Sequence, residues 1–154
     1  MKYFLLLVLF SLNSFATQIQ TQPVIPQEQA KLYNSIVKLH QEKPQEALKL
    51  FNELKGDYSA AFDYLKALIY IQMDNNKEAQ PHFEIALKKL PTFYHAHLAM
   101  VKIYFDKQMS KKALAHLVEI IKLGRADGNI WKSVAQCHLE AQNPEAAWYA
   151  IQQA

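Results

Sequence analysis

The side chains in this sequence best equipped for bond-making chemistry are six histidines and one cysteine. Cys137 stands directly before His138, and a thiol with an imidazole is the raw material of a nucleophile–base pair. Consecutive residues on a helix point about 100° apart, however, so His138 is poorly placed to take the proton. Cys137 then reads as a small buried apolar residue. A zinc site wants three or four ligands converging at about 2 Å, usually with a local pair one helical turn apart. His95 and His97 are two apart and diverge, whereas His82 and His116 recur at equivalent places of two similar stretches. Glu78 and Glu84 read as helix-surface charges, and Gly56, Gly124 and Gly128 stand too far apart to form a phosphate-cradling loop. The expectation is no catalytic residue, no metal and no cofactor.

If the reactive residues make no site, the elements that carry them must hold the function. Apolar residues make up 51% of the 154 and charged residues 20%, enough for a packed core. Only 3 glycines and 6 prolines punctuate the chain, which favours helices with short connections over a sheet rich in tight turns. The net charge of +3 is small, and Arg125 is the single arginine. Nucleic-acid readout leans on arginine, so no nucleic-acid partner is expected. The pairs Lys88/Lys89 and Lys111/Lys112 read as solvated helix faces.

Residues 1–16, "MKYFLLLVLFSLNSFA", combine an early lysine, a short apolar run and small residues Ser14 and Ala16. That is the pattern of a secretory signal peptide cut after Ala16, shorter than the roughly 20 residues a membrane anchor needs. An uncleaved anchor is the alternative. Export follows, periplasmic or otherwise secreted, with no stable membrane insertion after cleavage. One cysteine cannot form an internal disulfide, so packing must hold an exported fold together. Residues 17–28, rich in Gln, Thr and Pro, read as an extended leader or linker.

From residue 29 to 154 the patterning is helical and it repeats. Ala79-Phe83-Ala86, Ala113-Leu117-Ile120 and Ala147-Ile151-Ala154 share a four-then-three spacing, and their alanines are 34 residues apart. Ala47-Phe51-Leu54 is an earlier copy, 32 residues before the next. Such spacing keeps three side chains on one helix face, with the alanine where two helices cross closely. A fixed period of this size signals stacked supersecondary units. Tyr70, Tyr104 and His138 stand nine residues before the marker alanines, with Ala67, Val101 and Ala135 three earlier still. Asn75 with Glu78, Ser110, Asn143 with Pro144, and Pro44 supply helix-start signals. They place turns near 42–44, 74–76, 108–110 and 142–144. Pro81 predicts either a kink or a helix that starts late, near Gln80.

Read together, these positions resemble the tetratricopeptide repeat, whose pattern runs W-x2-L-G-x2-Y, A-x3-F, then P. Ala79, Phe83, Ala86 and Pro91 fit its second helix, and Trp131 fits its first helix in the last unit. Lys66-Ala67 and Met100-Val101 replace the usual Leu-Gly, Arg125 replaces a closing proline, and His138 a tyrosine. The first unit, with Lys31, Asn34, Ser35 and Lys38 in its first helix, reads as a degenerate repeat or a capping hairpin. The resemblance implies an all-α, right-handed α-solenoid of about 3.5 to 4 antiparallel helix hairpins, in units near 28–59, 60–93, 94–127 and 128–154. It also implies a concave groove lined by Tyr64 and Leu68, then Leu98, Lys102 and Phe105, then Lys132 and Gln136. His95 and Asn129 lie at the rim. About half of these are expected to pack between neighbouring helices. The family's Lys/Asn clamp for a peptide carboxylate is not reproduced, since Tyr64, Leu68 and Leu98 occupy slots it needs polar.

The functional expectation is a non-catalytic scaffold or adaptor of the cell envelope, binding a peptide or partner helix in that groove. The alternative is the N-terminal part of a longer protein with an effector or enzymatic domain beyond residue 154. Trp131, Val134 and Ile151 are then expected to be partly uncovered, and self-association through that edge is the other way to cover them.

Overall fold

In the computed structural model of the protein, residues 19–154 are described; the expected signal peptide and its cleavage point lie outside them. Eight helices and no strand occur among the described residues: α1 (Gln27–Glu42), α2 (Pro44–Glu53), α3 (Ala60–Gln72), α4 (Asn76–Lys89), α5 (Tyr94–Asp106), α6 (Ser110–Lys122), α7 (Gly128–Glu140) and α8 (Pro144–Gln152). They pair in chain order as four hairpins, α1–α2, α3–α4, α5–α6 and α7–α8. Each hairpin meets the next through α2–α3, α4–α5 and α6–α7. This sequential packing is that of a helical repeat solenoid.

The marker alanines explain how the pairs close. Ala47, Ala79 and Ala113 are wholly buried and Ala147 nearly so, because a methyl group lets two backbones approach where a larger side chain would clash. Phe83, Leu117, Ala86 and Ile120 bury the rest of the stripe. In the last hairpin the stripe frays: Ile151 remains 49% exposed, and Trp131 is half-buried. Val134 departs from the expected open edge, being buried with Ile130, Ala135 and Cys137 in the core shared with α5 and α6.

The core has two parts, and α3 belongs to both. Phe62, Leu65 and Ile69 join Ile36, Ala47 and Phe51 of the first hairpin. Ala60 and Ala67 join the larger cluster that runs through α8. In the first hairpin Ile36 is the buried residue of α1, with Leu32, Tyr33, Val37 and Leu39 packed around it. The exposed Lys31, Asn34, Ser35 and Lys38 are therefore its outer face. Lys43 alone separates α1 from α2, whereas later hairpins turn over three residues; the shorter spacing before Ala79 comes from α2, which ends at Glu53 and so runs on less far past Ala47 than α4 does past Ala79.

The three later turns share one backbone device. Asp74, Gln108 and Gln142 adopt φ of 57°, 56° and 56°. After each, the next N–H reaches back five residues: Asn75 to Tyr70 O at 2.9 Å, Met109 to Tyr104 O at 2.8 Å, Asn143 to His138 O at 2.8 Å. This is a Schellman closure, in which a left-handed residue lets the helix satisfy its last carbonyls. Asn75 and Asn143 then cap the following helices through their side chains. Ser110 does not cap α6; Met109 holds that position, and the Ser110 hydroxyl bonds Glu140 of α7 instead. Pro81 lies inside α4, which starts at Asn76, so the late start is not adopted.

Candidate functional site

Of the residues expected to line a groove, Tyr64, Leu68, Leu98 and Phe105 are half-buried and pack against the main core. Tyr64 lies 5.5 Å from the Phe83 ring and 4.7 Å from Phe93. Burial, with a smaller contribution from Tyr33, pushes its phenol pKa up, so it stays neutral. His95, Lys102, Lys132 and Gln136 are exposed, as is Asn129. Gln136 donates to Glu140 on its own helix at 3.0 Å. Tyr64 and His95 come together, sharing with Tyr33, Ala61 and Phe93 a shallow pocket of about 210 Å³.

That pocket has a further wall which the sequence did not announce. Gln22, Pro23 and Ile25 of the leader complete it. Residues 19–26 belong to no helix, bend at Gln22, and are fastened down. Thr21 is 8% exposed, and its carbonyl accepts the Tyr94 N–H at 3.1 Å. Its hydroxyl accepts from the Arg125 guanidinium at 3.1 Å, and that guanidinium lies 5.9 Å from the Tyr94 ring centre. Thr92 donates its hydroxyl to the Gln20 carbonyl. Pro23 and Val24 run beside Tyr58–Ala60 and Lys89–Leu90. Lys89 braces this corner, bonding Asp57 at 3.0 Å, Asp63 at 2.9 Å and the Tyr58 carbonyl at 2.7 Å. Burial alone would lower its pKa, but the hydrogen bonds to Asp63 and Asp57 outweigh it and leave the ammonium raised.

Three of the histidines, His82, His97 and His116, are absorbed by packing. Tyr70 stacks on His82 at 5.5 Å and Tyr104 on His116 at 5.6 Å, one such pair in each of the two middle hairpins. In the last hairpin the corresponding places hold His138 and Ala150. His97, buried, sets Nδ1 2.9 Å from His116 Nδ1 and Nε2 2.9 Å from the Pro91 carbonyl. A carbonyl only accepts, so His97 carries its proton on Nε2, and His116 donates Nδ1–H to the bare His97 Nδ1. Burial and the neighbouring His97 push His116 down to about 4, with Glu84 and Glu119 opposing. Sequence reading separated His95 from His97 correctly but missed this dyad, whose members lie 19 residues apart on antiparallel helices. Cys137 is buried, and burial, then Glu140, push its thiol up to about 11. It is a neutral packing group at neutral pH.

Among the described residues no group of three or more His, Cys, Asp or Glu is placed to hold a metal ion. No helix there is long and apolar enough to cross a membrane. No protein-family model matches the sequence, and no curated protein matches it.

Proposed function

We propose that this is an exported, tetratricopeptide-like interaction module, a right-handed solenoid that binds an extended peptide or a partner's helix along its α3, α5 and α7 faces. It acts as a non-catalytic scaffold or adaptor of the cell envelope. The observation that carries the reading is the coincidence of two periods. The buried Ala79, Ala113 and Ala147 recur every 34 residues, and so do the left-handed turn residues Asp74, Gln108 and Gln142. Arrays built this way present one ordered face over several units and commonly use it to bind. Lys102 and Lys132, exposed on α5 and α7, supply positive charge beside the apolar Tyr64, Leu98 and Phe105. That mixture suits an apolar anchor carrying some negative charge. The signal-like residues 1–16 support export.

Co-purification from an envelope fraction tests it. A defined partner is expected with the parent chain and is expected to be lost when Tyr64, Lys102 and Lys132 are changed together. The pair Lys102→Glu and Lys132→Glu alters only exposed side chains, so its loss of partner cannot be laid to misfolding. Retention of the partner by both variants overturns the assignment of this face.

A second surface favours self-association. Leu139, Trp148, Tyr149 and Ile151 are exposed large apolar side chains of the last hairpin, and a partner copy would remove them from water. Sedimentation across a concentration series is expected to show a dimer that Trp148→Glu abolishes. A monomer at every concentration overturns it.

A further inference from the structure

The leader offers its own account of what the surface beneath it takes. Tyr94 is the first residue of α5, and its N–H has no partner within the helix. The Thr21 carbonyl supplies that partner, and Arg125, from the turn before α7, fixes the neighbouring hydroxyl. Two residues on, Pro23 lines recesses with Ala60, Ala61 and Phe93, and Ile25 packs against the core of the first hairpin and lines a recess with Tyr33 and Tyr64. Elements from the first three hairpins and the α6–α7 connection therefore meet one hexapeptide, Gln20–Ile25: Tyr94 and Arg125 hold its start at Thr21, and Tyr33 and Tyr64 lie by its end. The hold is light. Ile19 and Val24 are more than half exposed, and backbone pairing is limited to the single Tyr94 bond and the Thr92 contact.

We propose that the surface formed by Tyr33, Tyr64, Phe93, Tyr94 and Arg125 is a peptide-binding site for a non-helical segment of the order hydroxyl residue, any, proline, any, aliphatic, and that residues 20–25 occupy it in cis. This deepens the peptide-binding reading above and rests on it. Specificity follows from the parts. Arg125 selects a side-chain oxygen, the Tyr94 N–H takes that residue's backbone carbonyl, the recess beside Ala60 and Ala61 suits a proline of fixed φ, and the aromatic recess takes a branched aliphatic. A tethered occupant works at an effective concentration on the order of millimolar. An outside peptide therefore sees only the fraction of molecules in which the leader has let go, and its apparent affinity falls by that fraction.

Anisotropy titration of a labelled peptide spanning Ile19–Pro26 tests this on the chain as it stands. The parent is expected to bind weakly, and the leader variant Thr21→Gly/Ile25→Gly about tenfold more tightly. Adding Arg125→Ala to that variant is expected to take the gain away. Amide exchange at Tyr94 reports release directly, since the leader provides its hydrogen bond: protection is expected in the parent, loss in the leader variant, and recovery on adding the peptide. Equal affinity of parent and leader variant overturns occupation in cis. Absence of binding to the leader variant overturns the peptide site, and so does Tyr94 protection that the glycines leave unchanged. The co-purification readout at Lys102 and Lys132 is independent of these outcomes, because neither lysine touches the leader site.

Discussion

At the scale of single residues the histidines set how the fold responds to acid. His116 has its pKa lowered from the ordinary 6.5 to about 4, and that of His82 is lowered too by burial and then by Lys66, with Asp63 and Glu78 opposing. A group whose folded pKa is depressed binds fewer protons folded than unfolded, so its stabilisation is complete above the unfolded value and drains as pH falls. The window here is pH 6.5 down to about 4. The melting temperature is expected to fall across it, and His116→Gln is expected to flatten that fall. An unchanged slope in the variant would show that His116 does not carry the acid response. The sequence made half of this legible. Divergence of His95 and His97 follows from helical geometry, but pairing of His97 with His116 depends on how far α6 slides along α5, which no local pattern records.

Among the elements, turns and helix starts were the most readable features, because their chemistry is local. Pro44, Asn75 and Asn143 act where the sequence places them. The left-handed turn residues were not foreseen, since glycine is the usual marker and Asp74, Gln108 and Gln142 are not glycines. A side chain in that conformation costs about 1 kcal/mol, which glycine avoids. Gln142→Gly, at an exposed position, is expected to raise stability by up to about 1 kcal/mol in denaturant unfolding. Pro81 costs α4 the bond its nitrogen would donate to Lys77, and it is exposed, so little packing depends on its ring. Pro81→Ala is expected to stabilise by about 1–3 kcal/mol. A destabilised Pro81→Ala would mean that the interruption shapes α4 against its neighbours. Ser110 was misread for a physical reason: its oxygen had a better partner in Glu140, on a helix the local sequence cannot see.

Over the whole molecule, a chain of hairpins that touch only their neighbours is held from the middle outwards. The α3–α6 segment has partners on both sides and contains most of the fully buried side chains. Amide exchange is expected to be slowest in α3, α4, α5 and α6, and faster in α1, α2, α7 and α8. Uniform protection would indicate one cooperative block. The repeat period legible in the alanines established this architecture, whereas the leader's path did not show itself, since its attachments are backbone groups and isolated side chains without periodicity. One of those attachments makes the molecule convenient to interrogate. Arg125 is the sole arginine in the chain, so a guanidine-selective reagent such as phenylglyoxal has a single address, and an arginine-specific protease a single bond to cut, Arg125–Ala126. Both sit where the leader is clasped, and labelling or nicking rates become a clock for how often the clasp opens.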